Sequence, residues 1–142
     1  MNVEQNTTIL KSFNFEGNEQ LVSYVETMHV VEGVDCEVYT FDGDSSKDLG
    51  IIKISYGCKT PLQKVLKGDK TIEGYVSGRG KLTITKPEGK QEIYIAEEAS
   101  EPISVVVEIG ELMQWEADKD SDLVAYEICF PPYEDGRYQN IE

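Results

Sequence analysis

Beyond residue 35 the chain alternates apolar and polar residues with a period of two, in short stretches set apart by turn-forming residues. Such alternation sends successive side chains to opposite faces of an extended strand. No apolar stripe recurs at helical spacing for three turns, so the pattern predicts an all-β chain. The stretches run over residues 36–41, 50–56, 62–66, 71–77, 81–86, 91–95, 103–109, 112–116 and 123–130. Between them stand Asp42-Gly43-Asp44, Lys67-Gly68-Asp69, Gly78-Arg79-Gly80, Pro87-Glu88-Gly89 and Asp118 to Asp122, all turn chemistry.

Strands this short and evenly spaced must close on themselves or pack as two sheets, because an open sheet leaves unpaired edges and one bare apolar face. A barrel or jelly roll follows. The run from Leu123 to Phe130 is nearly continuous in apolar character, as expected of a central strand, and Pro131-Pro132 ends it by removing two backbone donors. The first twenty residues carry only a weak pattern, compatible with an arm or with a strand lent to a partner's sheet. The organisation expected is residues 1–34 as an arm holding the first strand or strands and open to exchange in a dimer, 35–134 as the barrel, and 135–142 as a polar tail.

The 142 residues suit one domain, large enough to bury roughly two thirds of the surface of the unfolded chain without a disulfide or metal. Cys36, Cys58 and Cys129 are odd in number, far apart and form no C-x-x-C pair, which points to a reducing, cytoplasmic setting and to buried apolar roles. No basic start followed by an apolar run opens the chain, and no stretch nears membrane-spanning length, so a soluble protein is expected. A formal charge of −14 opposes nucleic acid as a partner, since that binding depends on lysines and arginines displacing counterions.

The segments Thr60-Pro61-Leu62-Gln63 and Glu73 to Ile84, with Gly78-Arg79-Gly80 between strands, resemble the first motif of the cupins. Val107 to Trp115, with a turn at Gly110, is similar to the second, and Pro131-Pro132-Tyr133 to the close of many small cupins. The resemblance spans about residues 48 to 134 and implies a cupin-type barrel, the double-stranded β-helix or jelly roll. Metal-holding cupins supply a His-x-His pair and a glutamate from the first motif and a histidine from the second. On this sequence those positions fall at Gln63 and Val65, near Thr71, and at Met113. Valine has no donor and a thioether suits only soft ions, so the resemblance implies a barrel without a histidine-built metal centre. Glu73, two residues further on the same strand face, could with Gln63 offer a hard cation only a weak hold, far short of the six or more oxygens such ions take.

With Thr71 pointing inward, alternation turns Glu73 and Tyr75 inward too, and Met113 brings Trp115. Val124, Tyr126 and Ile128 share one face of the last strand. The expected pocket is therefore Gln63, Thr71, Glu73, Tyr75, Met113, Trp115 and Tyr126: aromatic walls with a few polar groups, suited to a small polar or aromatic metabolite such as a sugar. The aromatics are equally compatible with simple core packing, whereas a buried Glu73 needs a partner or a shifted pKa and is the more informative residue. His29, the single histidine, could act as a base if the fold brings it to the cavity. Three functions remain open: a metal-free, cofactor-free binding module; a metal-free sugar isomerase or epimerase using Glu73 with Tyr75 or Tyr126; and an interaction barrel with a filled cavity. A homodimer formed through an edge strand is expected in each case.

Overall fold

A computed structural model describes residues 9–98 and 102–141, and among these there is no helix. Twelve strands form: β1 (Ser12–Phe15), β2 (Asn18–Val31), β3 (Val34–Phe41), β4 (Asp44–Ile54), β5 (Gln63–Val65), β6 (Lys70–Gly78), β7 (Gly80–Thr85), β8 (Gln91–Ala96), β9 (Ser104–Val107), β10 (Leu112–Ala117), β11 (Leu123–Phe130) and β12 (Tyr138–Asn140). They build a seven-stranded sheet, β1-β2-β3-β4-β11-β6-β9, and a five-stranded sheet, β12-β5-β10-β7-β8. Neighbouring strands are antiparallel throughout. No described helix is long and apolar enough to cross a membrane.

Alternation divides the apolar residues between two cores. Between the sheets, Val34, Ile52 and Ala125 of the larger sheet meet Val65, Leu82, Ile84, Met113 and Trp115 of the smaller. On the opposite face of the larger sheet, Tyr39, Phe41, Leu49, Ile51, Ile72 and Ile128 form a second cluster. The chain's own N-terminal segment covers that cluster: Leu10, Phe13 and Phe15 pack on it, and the Leu10 amide donates to the Tyr39 hydroxyl at 3.1 Å. A sheet with both faces buried explains why β11 reads as an almost unbroken apolar run.

Three differences from the sequence reading have physical causes. The long β2 went unrecognised because the ladder slips between Tyr24 and Glu26 and again between His29 and Val31, and each slip resets the phase of the alternation. The Gly78-Arg79-Gly80 turn does not join neighbours in one sheet: β6 pairs with β9 and β11, β7 with β8 and β10, so the glycines turn a corner between the sheets. Gly78 takes a φ of +88°, and a side chain there would strike the Asp122 carbonyl. The tail residues Tyr138–Asn140 pair with β5 and supply an edge strand of the smaller sheet.

Tyr126 sits opposite Gly74 on β6, and its ring lies where a Gly74 side chain would stand. Phe13 meets the same ring edge-on, centroids 5.1 Å apart. Gly74→Ala should therefore lower the unfolding free energy by about 1–3 kcal/mol through overpacking. In a Tyr126→Leu background the same change should lower it far less, as a urea-denaturation double-mutant cycle would report; equal losses in both backgrounds would refute the contact.

Candidate functional site

Antiparallel register between β6 and β11 sets Thr71 beside Cys129, Glu73 beside Glu127, and Tyr75 beside Ala125. Because Ile72 and Ile128 point to the outer cluster, these pairs point between the sheets. Glu73 is thereby carried into the barrel, with 1% of its surface exposed. From the other sheet, Trp115 donates its indole Nε1–H to Glu73 Oε1 at 2.7 Å. Glu73 Oε2 has no hydrogen-bond partner other than the neighbouring Glu127 carboxyl, and burial first, then the charge of Glu127, hold Glu73 well above the usual carboxylate range. Two adjacent carboxyls in a dry interior cannot both ionise cheaply, which favours the protonated form of Glu73.

Glu127 is approached from its other side by the C-terminal strand. Tyr138 Oη donates to Glu127 Oε2 at 2.5 Å and lies 3.3 Å from both Thr71 Oγ1 and Cys129 Sγ. Burial, and next the charge of Glu127, push the Tyr138 phenol far up, so it stays a neutral donor. Arg137, only 1% exposed, stands behind: its guanidinium donates to the carbonyls of Pro131, Lys70 and Phe130 and, at 3.2 Å, to Thr71 Oγ1. Donors run in one direction, from Arg137 to Thr71 to Tyr138 to Glu127, and such chains polarise one another in a medium of low dielectric. Burial also raises the Cys36 and Cys129 thiols, which removes them as nucleophiles.

A cavity of about 680 Å³ opens beside Glu127. It is lined by Cys36, Cys129 and Asp48, by the apolar Val34, Val38 and Ile52, by Tyr133 and Tyr138, and by Glu26, Met28 and Val30 of β2. Its size falls within the range of small-molecule sites.

Of the residues expected in the pocket, Gln63 lines the cavity, where its amide donates to Asn140 Oδ1 at 3.1 Å. Thr71, Glu73, Met113 and Trp115 are buried in the barrel interior behind it. Tyr75 shares their face, but its hydroxyl is taken by the Gly78 carbonyl at 2.8 Å. Tyr126 is a correction: it faces the outer cluster with Val124 and Ile128, because β11 turns Ala125 and Glu127 inward instead. Tyr126 thus lies on the face of β11 opposite to the one that meets Glu73. His29 reaches the cavity rim, exposed and 3.0 Å from Asp35 Oδ1. Glu127 was missed, although a lone acid within the apolar run from Leu123 to Phe130 was the available signal. Tyr138 and Arg137 lie in a polar tail that gives no such sign.

Gln63 and Met113 are direct cross-strand neighbours, while Val65 and Thr71 are buried on β5 and β6. That donor set does not fit the metal held by cupins with histidines at these positions. Among the described residues no group of three or more His, Cys, Asp or Glu side chains is arranged to hold a metal ion.

No family model and no curated protein matches the sequence. Solved structures do resemble the fold. The capsular polysaccharide assembling protein CapF from Staphylococcus aureus superposes with a TM-score of 0.65 at 12% identity, over 84% of this chain and 34% of that one. Oxalate decarboxylase from Bacillus subtilis gives 0.64 at 17% identity, over 82% and 30%. The cupin-2 domain protein Rru_A2000 from Rhodospirillum rubrum gives 0.60 at 12% identity, over 92% and 79%. The chain spans about a third of the length of the first two. At such identities the likeness establishes the fold: an all-β jelly-roll barrel of the kind the sequence motifs pointed to.

Because the folded Glu73 binds its proton more tightly than its ordinary value of 4.5 allows, the native state carries the extra proton above that pH. Its contribution to stability is complete below 4.5 and is lost as pH rises through the higher folded value, by up to about 1.4 kcal/mol per pH unit. Glu73→Gln, which imitates the protonated side chain and keeps the Trp115 acceptor, should remove this slope and be the more stable form at neutrality. Parallel stability curves for the two proteins from pH 4.5 upward would contradict the assignment.

Proposed function

We propose that this cupin-fold barrel is a metal-independent binding protein that holds a small polar or aromatic metabolite in the cavity beside Glu127 and performs no chemistry of its own. The observation that carries this reading is a cavity of about 680 Å³ lined by both polar and apolar side chains, in a barrel where the positions matching the cupin metal ligands hold Gln63, Val65, Thr71 and Met113. The hydrogen-bond chain behind Glu127 supports it as well, since a fixed acceptor loses little freedom when a ligand arrives. Glu73 and Trp115 stiffen the wall from behind rather than meeting the ligand.

One feature favours a second reading. Glu127 lines the cavity beside Glu73, whose carboxyl is held well above the usual range, and two neighbouring carboxyls in unlike environments are what an acid–base isomerase would need. In that case Glu127, not Glu73, meets the substrate. Deuterium incorporation into a sugar incubated in heavy water, abolished by Glu127→Gln, is the outcome that would favour the enzyme.

A homodimer is also proposed, supported by apolar side chains exposed along β2, among them Leu21 at 64% and Val25 at 53%. Light scattering should then give twice the chain mass at micromolar protein; a monomer mass would overturn this.

For the binding reading, differential scanning fluorimetry across a metabolite panel should find compounds that raise the melting temperature. At a hundredfold excess over Kd the gain corresponds to about 2.7 kcal/mol. Tyr138→Phe and Glu127→Gln should each weaken the response at least about tenfold, or ~1.4 kcal/mol. A panel of sugars, amines and aromatic acids without one stabilising member would contradict the reading.

A further inference from the structure

Residues 131–141 form a strap along one side of the cavity, which Tyr133, Glu134, Asp135 and Tyr138 line from this segment. Within the strap only Arg137 is buried; Pro132 and Tyr138 are half-buried and the others exposed. Its ladder is short. β12 pairs with β5 alone, and beyond that pairing the Leu66 amide donates to the Arg137 carbonyl and the Ile141 amide to the Leu62 carbonyl, each at 2.8 Å. Two further ties, from the Tyr133 amide to Asp48 Oδ2 at 3.0 Å and from Lys67 to Glu134 at 3.7 Å, lie at the surface, where water replaces them at little cost. The buried members of both apolar clusters all lie outside the strap. A segment that buries so little apolar surface belongs to the parts of a fold that open locally.

The two anchors of the strap are polar. Arg137 donates to the carbonyls of Pro131, Lys70 and Phe130 and to Thr71 Oγ1. Its Nε has no hydrogen-bond partner, and among the described residues no carboxylate lies within ion-pair distance of it. Gly68 closes the socket over the guanidinium, and a side chain at Gly68 would collide with it. A cation held by neutral oxygens alone regains full hydration when it leaves, which offsets part of the cost of its lost hydrogen bonds. Tyr138, the second anchor, bonds to Glu127 at the cavity, so the carboxyl it leaves behind meets water and not a dry core.

We propose that the strap is a gate: residues 131–141 lift from β5, Arg137 leaves its socket, and the side of the cavity opens while both apolar clusters stay packed. In the binding reading this is the way in for the ligand. The opening itself requires no ligand, so it is tested without one, and its failure leaves the binding reading to the metabolite panel.

Cys129 reports the opening. Its thiol is 3% exposed, Tyr138 Oη lies 3.3 Å from its Sγ, and burial holds it far above the usual thiol range, so it reacts once uncovered. Alkylation of the full chain by iodoacetamide, read at Cys129 by peptide mass spectrometry, measures the rate. Below the unfolding transition that rate should change little with urea, as befits an opening that exposes little surface. Gln63 and Asn140 face each other across β5 and β12. Gln63→Cys with Asn140→Cys, oxidised to a disulfide, should slow the labelling at least about tenfold, and Gln63→Ser with Asn140→Ser should not slow it. Arg137→Ala should speed it at least about tenfold, and the same disulfide should cancel the gain. Gly68→Ala, which fills the socket and keeps the arginine, should speed it as well. Labelling that follows global unfolding along the whole urea series would overturn the proposal. So would a rate that the disulfide leaves unchanged, since the reagent would then reach Cys129 with the strap closed.

Discussion

The hydrogen bonds that cross the interior of this barrel from sheet to sheet begin with Trp115 of β10, which donates to Glu73 of β6 at 2.7 Å. Much else follows from that bond. A carboxyl at that depth is tolerable only when hydrogen-bonded and neutral, and the adjacent Glu127 reinforces neutrality by adding a like charge. Glu127 in turn needs a donor, which Tyr138 supplies from the C-terminal strand, and Tyr138 is oriented by Thr71, Cys129 and the buried Arg137. The polar interior thus ties β6, β10, β11 and β12 into one network, and removal of a member strands its neighbours in a medium of low dielectric.

The arrangement also bears on what takes the place of a metal centre in a barrel of this shape. A metal bound by side chains from β5, β6 and β10 would tie those strands together. Here Gln63 bonds to Asn140, Val65 and Met113 join the apolar core, and Thr71 becomes a link in the hydrogen-bond chain. The likeness to CapF and to oxalate decarboxylase extends to the path of the chain and leaves its chemistry to be read from these side chains.

Nine of the twelve strands were legible from alternation and turn residues, because their ladders slip at most once and close to a strand end. β2 was hidden by its two ladder slips, and β12 by its brevity and polar composition. Glu73 was legible as the residue to watch, since an acid at an inward-facing strand position has few bland explanations. Its partner was not, because the eye reads Leu123 to Phe130 as one hydrophobic run and passes over Glu127. Tyr126 failed for a related reason: alternation fixes which residues share a face but not which face is inward, and only pairing with Gly74 and the covering Phe13 and Phe15 decide that.

The central claim is that Glu73 stays protonated in the barrel beside Glu127. Carbon-13 NMR of the glutamate side-chain carboxyls, followed through a pH titration with Glu73→Gln for assignment, measures this directly. The account predicts that the Glu73 resonance titrates well above 4.5 and that the variant removes that transition. A Glu73 carboxyl that ionises at the ordinary value would contradict it.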